Sequence, residues 1–204
     1  MDKQLITDIL IDTNAISLNF ENKFTWASGI ISPIYCDNRV LLSFVKQRDI
    51  IIDSFIDSIK KNYPNVELIA GVATSGIGFA AMISQKMGLP MIYVRTKSKD
   101  HGKNSQVEGI IKENQKIVVI EDLISTGQSV LNVCEVLKTN KSNVLGVQAI
   151  FTYDLLKAKT NFANQNVILN TLSNRKFLIK SMKKSNSFTD ENINDLYIFF
   201  NSLG

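Results

Sequence analysis

The densest chemistry in the sequence lies in Lys116-Ile-Val-Val-Ile-Glu121-Asp122-Leu-Ile-Ser125-Thr126-Gly127-Gln128-Ser129. A hydrophobic run delivers two adjacent carboxylates, and a Ser-Thr-Gly-Gln-Ser turn follows that can open a helix. Backbone N–H groups, hydroxyls and the positive end of a helix together suit a dianionic phosphate. The two acids would repel that phosphate. Their chemistry is to accept hydrogen bonds from a sugar diol or to hold a cation-bound ligand. Phosphate at the turn and hydroxyls at the acids describe a ribose 5-phosphate. The plainer alternative is an N-cap turn beside two solvated acids, and two acids directly after Ile-Val-Val-Ile speak against it.

Two further stretches are candidates. Gly71-Val-Ala-Thr74-Ser75-Gly76-Ile-Gly78 lacks the Gly-Lys-Ser/Thr ending of a nucleoside triphosphatase loop, and its glycine spacing fails the dinucleotide fingerprint. It offers either a second anion-sized cradle or simply a tight strand-to-helix turn. Arg95-Thr-Lys97-Ser-Lys99-Asp-His101-Gly-Lys103 packs five potential cations into nine residues, including the single histidine of the chain. His101 sits among polar residues and not on an apolar face, which favours a functional role. Cys36 has no partner in the sequence that would make it a nucleophile, and Cys134 reads as core.

These groups must be positioned by regular elements. Leu5, Ile6, Ile9 and Leu10 fit one face of a helix over 3–14, and residues 20–43 read as short strands and turns. Phe44, Ile51, Ile52, Phe55, Ile56 and Ile59 form a helical stripe ended by Asn62-Tyr63-Pro64. Strands are expected at 67–72, 90–94, 116–120, 143–152 and 166–170, with helices at 76–87 and 127–138. Short apolar runs alternating with helical patterns imply a parallel sheet of about five strands flanked by helices. A capped amphipathic helix closes the chain after Ser187, and Lys180, Lys183 and Lys184 read as a solvated face. The stretch of about 21 residues between Val94 and Lys116 has few apolar anchors, and its cation density marks it as a functional lid.

The chain has 204 residues, 45% hydrophobic and 21% charged, with mean hydropathy +0.04. These values fit one globular α/β domain and exclude dominant disorder. No apolar run approaches the ~20 residues needed to span a bilayer, and no signal-like segment opens the sequence. Two cysteines give no disulfide framework and point to a reducing cytoplasm. Net charge is +4, spread mostly over lysines, which reads as a solvated surface and not as a nucleic-acid face. Eight of the ten glycines fall between positions 71 and 146, the same stretch that holds the candidate site.

At this point the residues carry a resemblance. Val118-Val-Ile-Glu-Asp-Leu-Ile-Ser-Thr-Gly-Gln-Ser129 resembles the phosphoribosyl-diphosphate signature of the type I phosphoribosyltransferases. Phe24-Thr-Trp-Ala-Ser-Gly29-Ile-Ile-Ser-Pro-Ile-Tyr35-Cys-Asp-Asn-Arg39 resembles the base-binding segment of the orotate branch. Met91-Ile-Tyr-Val-Arg95-Thr-Lys-Ser-Lys99-Asp-His101-Gly102, continuing to Glu108-Gly109, resembles that branch's catalytic lid. Together they cover residues 24–39 and 67–152.

The resemblance implies an α/β core over 44–172 with a small hood built from an N-terminal base-binding segment, 1–43, and a C-terminal helical segment, 173–204. It implies Mg²⁺-dependent transfer of ribose 5-phosphate from phosphoribosyl diphosphate to orotate, giving orotidine 5′-phosphate and diphosphate in pyrimidine synthesis. Carried over by position, Glu121 and Asp122 hold the ribose hydroxyls. Leu123 and Ile124 lead into Ser125, Thr126, Gly127, Gln128 and Ser129 around the 5-phosphate. Thr74 and Ser75 line the diphosphate loop, while Arg95, Lys99 and His101 meet the diphosphate, often from the neighbouring subunit of a homodimer. Lys99, His101 and Asp122 form the catalytic set, and Tyr35, Cys36 and Ser125 border the orotate. No residue ligates Mg²⁺ directly; it is held through the diphosphate and the ribose hydroxyls. Some relatives carry a lysine where this chain has Ser75, a basic residue at Ala27 or Ile31, or an arginine near Tyr153 and Asp154. The signature alone is shared with purine and uracil enzymes. A non-catalytic nucleic-acid-binding regulator of the same fold is the alternative of a different class.

Overall fold

The protein is described from a computed structural model over residues 2–26, 29–96, 106–185 and 187–203. Lys99 and His101 lie outside the described residues.

The chain opens with α1 (Lys3–Asp12), whose first turn is capped by the Asp2 carboxylate accepting from the Gln4 and Leu5 amides. Two small antiparallel hairpins follow. β1 (Ile16–Leu18) pairs with β4 (Ile34–Cys36), and within that excursion β2 (Phe24–Thr25) pairs with β3 (Ile31–Ser32). A short 3₁₀ turn, Asn38–Ser43, leads into α2 (Val45–Asn62). The apolar stripe of α2 is buried from Ile51 to Ile59, while Phe44, the expected first member, sits outside the helix as its N-cap. Lys60 and Lys61 close the helix, where cations complement the exposed carbonyls.

The core alternates as the apolar rhythm requires. β5 (Leu68–Val72) is buried throughout and is followed by α3 (Ser75–Met87), β6 (Met91–Val94) and the two-residue β7 (Val107–Glu108). Then come β8 (Lys116–Ile124), α4 (Gln128–Thr139), β9 (Asn143–Thr152), α5 (Leu156–Asn164), β10 (Leu169–Asn174), α6 (Arg175–Lys184) and α7 (Asp190–Ser202). The strand order is β10-β9-β8-β5-β6-β7. The five expected strands run parallel, and β7 adds a short antiparallel edge drawn from the region read as lid. The chain steps from β5 outward to β6 and then crosses back to β8 on the other side. The crevice beyond the C-terminal ends of β5 and β8 is therefore the topological switch point, where ligands of open α/β sheets bind.

Three elements differ from expectation. β8 runs four residues further than 116–120, because its ladder with β9 continues through Glu121↔Ala149 and Leu123↔Phe151 to Ile124↔Thr152. The acid pair therefore lies inside a strand and not behind it. The last strand sits at Leu169–Asn174 and not at 166–170, its register set by pairing with β9. Helices α5 and α6 go beyond the expected elements: α5 buries only Ala158 and Phe162, and in α6 the buried Leu178, Ile179 and Met182 share one face with exposed lysines on the other. α7 follows its prediction, with Thr189 and Asn192 forming a reciprocal capping box.

The N- and C-terminal segments meet above one end of the sheet. Trp26 stacks on Tyr153 at the end of β9 (centroids 5.6 Å, planes 12° apart) and meets Phe199 of α7 edge-on.

Candidate active site

Two strand-to-helix turns converge on the switch point. In the first, β5 delivers Thr74 and Ser75 to the start of α3. Gly76 makes the approach possible: a Cβ there would lie 2.4 Å from the Ile120 carbonyl oxygen. The α3 N-terminus is thus packed against β8, immediately before the acids. In the second turn, Gly127 has φ +77°, and a Cβ would lie 2.5 Å from the Phe162 ring. Asn161 of α5 donates its Nδ2 to the Thr126 carbonyl at 2.9 Å, buttressing the turn from behind. Neither α3 nor α4 is capped by a side chain. At the start of α4 the Gln128 amide makes only a long 3.5 Å bond to Thr126 Oγ1, and at the start of α3 the Ile77 amide turns to the Thr74 carbonyl. The positive ends of both helices face the cleft and suit an anion there.

The cleft has three adjoining chambers. The smallest, about 100 Å³, is formed by Ser125, Thr126, Gly127, Gln128 and Ser129 with Glu121 on its wall. The largest, about 420 Å³, lies over the β5–α3 turn and takes in Thr74, Ser75, Asp37, Arg39, Glu121 and Asp122. The third, about 230 Å³ and mostly apolar, is bounded by Trp26, Tyr35, Cys36, Leu123, Ser125 and Tyr153. Leu123 borders all three chambers. Glu121 and Ser129 join the first two, and Cys36 joins the second to the third.

The acid pair is strongly perturbed. Burial pushes the Glu121 carboxyl well above the ordinary carboxylate range, and the Asp122 charge adds to the shift. Burial also raises Asp122, against the opposing hydrogen bond with Glu121. Glu121 Oε1 accepts from the Asp122 amide at 3.0 Å. Both shifts favour the protonated form, most strongly at Glu121, and a donor-rich or cationic ligand would favour the charged form. The Cys36 thiol is held neutral by burial and by the Asp122 and Asp37 charges, which rules out a thiolate nucleophile. Cys134 is fully buried core.

The expected site residues are thus brought together with few exceptions. Thr74, Ser75, Tyr35, Cys36 and the run Glu121–Ser129 all line the cleft. Arg95 does not. Its guanidinium pairs with Glu108 at 2.7 Å, and its neighbour Thr96 reaches the large chamber instead. The sequence reading passed over Asp37, Asn38, Arg39 and Tyr153 as site residues. Arg39 holds the Asp37 carboxylate through Nε and Nη2, both at 2.7 Å, and Asn38 reaches the backbone of Asp122. Only the density of polar residues in Asp37-Asn38-Arg39 could have flagged them.

Among the described residues, Arg39 is the one cation lining these chambers, set against three carboxylates. A diphosphate seated there needs further positive charge. Among the described residues no group of three ligating side chains could hold a metal ion alone. A cation carried in on the diphosphate, and facing the acid pair, fits this donor set.

This fold and phosphate-binding cleft define a phosphoribosyltransferase, and residues 45–170 match the model of the phosphoribosyl transferase domain. An orotate phosphoribosyltransferase of Enterococcus faecalis is 49% identical over 191 residues, 94% of this chain and 90% of the relative. One of Streptococcus pyogenes serotype M1 is 50% identical over 190 residues, 93% and 91% of the two chains. The crystal structure of orotate phosphoribosyltransferase from Aeropyrum pernix superposes with a TM-score of 0.78 at 26% identity, covering 89% of this chain and 99% of that one. The chain belongs to the orotate phosphoribosyltransferase family.

Proposed function

We propose that this chain transfers ribose 5-phosphate from phosphoribosyl diphosphate to orotate, with Mg²⁺, as a cytoplasmic homodimer serving pyrimidine nucleotide synthesis. The observation that carries the reading is the order of the chambers. A phosphate-sized cradle, an acid pair, a polar chamber and an apolar slot adjoin in the sequence in which a phosphorylated ribose, its diphosphate and a planar base are joined.

On this reading the backbone N–H groups and hydroxyls of Ser125–Ser129 cradle the 5-phosphate. Glu121 and Asp122 accept from the ribose hydroxyls, and their desolvated carboxylates stabilise the positive charge that develops on the sugar as the bond from C1 to diphosphate breaks. Thr74, Ser75 and the α3 N-terminus receive the departing diphosphate. Lys99 and His101 add cations to it from the lid, whereas Arg95 stays paired with Glu108. Mg²⁺, when bound to the diphosphate and ribose hydroxyls, neutralises leaving-group charge. Tyr35, Cys36 and Ser125 border the base, whose N1 attacks C1; that nitrogen is already acidic and needs no strong general base. A closed lid excludes water and favours transfer over hydrolysis.

Dimerisation is supported by the exposed apolar Leu42, Phe44 and Val45 at the start of α2. A reducing compartment suits the two free cysteines, and no helix among the described residues is long and apolar enough to cross a membrane. The test is an ultraviolet assay of orotate consumption. Orotate should disappear only when phosphoribosyl diphosphate and Mg²⁺ are both present. Turnover of a purine with none of orotate overturns the reading.

A further inference from the structure

The mostly apolar chamber contains a donor that the protein leaves unused. Tyr153 follows β9 directly and is only 2% exposed. Its ring is fixed by Trp26 stacked at 5.6 Å, Phe151 edge-on at 5.7 Å and Phe200 at 5.5 Å. Yet its hydroxyl makes no hydrogen bond with any described residue, while Tyr63, the other deeply buried tyrosine, gives its hydroxyl to the Val147 carbonyl. Nor is the Tyr153 hydroxyl sealed off, as the unpaired Nε2 of Gln148 is: the residue lines the chamber beside Cys36 and Tyr35.

Burial holds the phenol protonated far past neutrality, so it is a donor. In the free protein only solvent entering the chamber can meet this hydroxyl, and a bound ring that displaces that solvent has to supply the acceptor. Among the described residues the chamber's other lining is Trp26, Tyr35, Cys36, Leu123 and Ser125, with no lysine, arginine or histidine. The Trp26 indole N–H is already committed to the Ile34 carbonyl at 2.9 Å. Among the described residues, the groups of this chamber that could meet an anionic substituent on a planar ring are neutral donors.

We propose that Tyr153 is a specificity-determining residue, its hydroxyl donating to the carboxylate of the pyrimidine and so distinguishing orotate from pyrimidines without that group. This rests on the orotate reading given above. The ring's aromatic contacts set the position of the hydroxyl, and the carboxylate supplies the missing acceptor as a charge-assisted hydrogen bond.

The test is Tyr153→Phe, which removes the hydroxyl and keeps the ring, assayed by steady-state kinetics with orotate and with uracil. The expected result is an orotate KM raised about ten- to a hundredfold, an unchanged KM for phosphoribosyl diphosphate, and an orotate-to-uracil preference reduced by the same factor. The melting temperature should be unchanged or higher, since the lost hydroxyl bonds nothing in the free protein. A lower melting temperature with an unaltered orotate KM marks a structural hydroxyl and overturns the proposal. An orotate KM and an orotate-to-uracil ratio both within twofold of wild type also overturn it, and leave the orotate reading standing. A wild-type enzyme that does not turn over orotate overturns the reading and the proposal together.

Discussion

The Asn38 side-chain amide donates to the backbone carbonyl of Asp122 at 2.8 Å, joining the N-terminal segment to the acid pair across 84 residues of sequence. Asn38 is fully buried, and its Oδ1 faces the Cys36 thiol at 3.6 Å. One side chain thereby fixes the mutual position of the base-binding segment and the strand that carries Glu121 and Asp122.

Asn38→Ala should therefore cost activity out of proportion to its size. It leaves a buried carbonyl without its partner, worth ~1–3 kcal/mol, and frees Asp122 to shift relative to the base chamber. A tenfold or greater fall in kcat/KM for both substrates is expected, with an intact circular dichroism spectrum. Asn38→Asp, whose carboxylate cannot donate and adds charge beside Asp122, should be worse than alanine. Kinetics of either variant within twofold of wild type would show that the bond does not position the site.

Asp122→Asn should lower turnover strongly, by about a hundredfold, without loss of folding. Near-normal turnover would remove Asp122 from the catalytic set.

The same pair makes a pH prediction. A carboxyl whose folded pKa is raised binds its proton more tightly in the folded than in the unfolded chain. Between the ordinary carboxylate value and the raised folded value the native state holds more protons, so its stability falls as pH rises across that window. Glu121→Gln removes the charge while keeping the acceptor for the Asp122 amide. Its melting temperature should exceed that of wild type at pH 8, by ~1 kcal/mol or more in stability, and the advantage should shrink toward pH 4. A pH-independent difference in melting temperature would contradict the buried-proton account.

Gly76→Ala probes the junction between the two phosphate turns. The new methyl would lie 2.4 Å from the Ile120 carbonyl oxygen, a backbone atom of a central strand that cannot swing aside as a flexible side chain could. The α3 N-terminus must withdraw from β8, carrying Thr74 and Ser75 with it. A loss of ~1–3 kcal/mol of stability is expected, together with a raised KM for phosphoribosyl diphosphate. Wild-type values for both would mean that the turn has slack the packing does not reveal.

The proposal that lid cations act across a dimer is tested by mixing two inactive proteins. Lys99→Ala subunits combined with Asp122→Asn subunits should regain part of the wild-type activity, because a hybrid dimer contains one site with both residues intact. A mixture as inactive as its parents would place the lid and the acid pair in the same subunit.

Much of this was legible in the sequence for a physical reason. Runs such as Ile117–Ile120 and Leu68–Val72 are apolar throughout because both sheet faces are covered, and that pattern needs no tertiary information. The phosphate turn was legible because its chemistry is local: Ser125 to Ser129 are contiguous, and the helix that follows them is periodic. α5 and α6 are hard to read because each sets only two to four buried side chains, Ala158 and Phe162 or Leu178, Ile179, Ser181 and Met182, in a predominantly polar segment.

What the sequence determined by itself was the set of contiguous devices: the acid pair, the two strand-to-helix turns, and the order of strands and helices between them. Tertiary structure decided everything that depends on residues far apart in the chain. It brought Asn38 beneath Asp122, Asn161 behind Thr126, and Trp26 onto Tyr153, contacts that span 84, 35 and 127 residues. It also raised the proton affinity of Glu121, because desolvation, the largest cause of that shift, is a property of what surrounds a carboxyl in space.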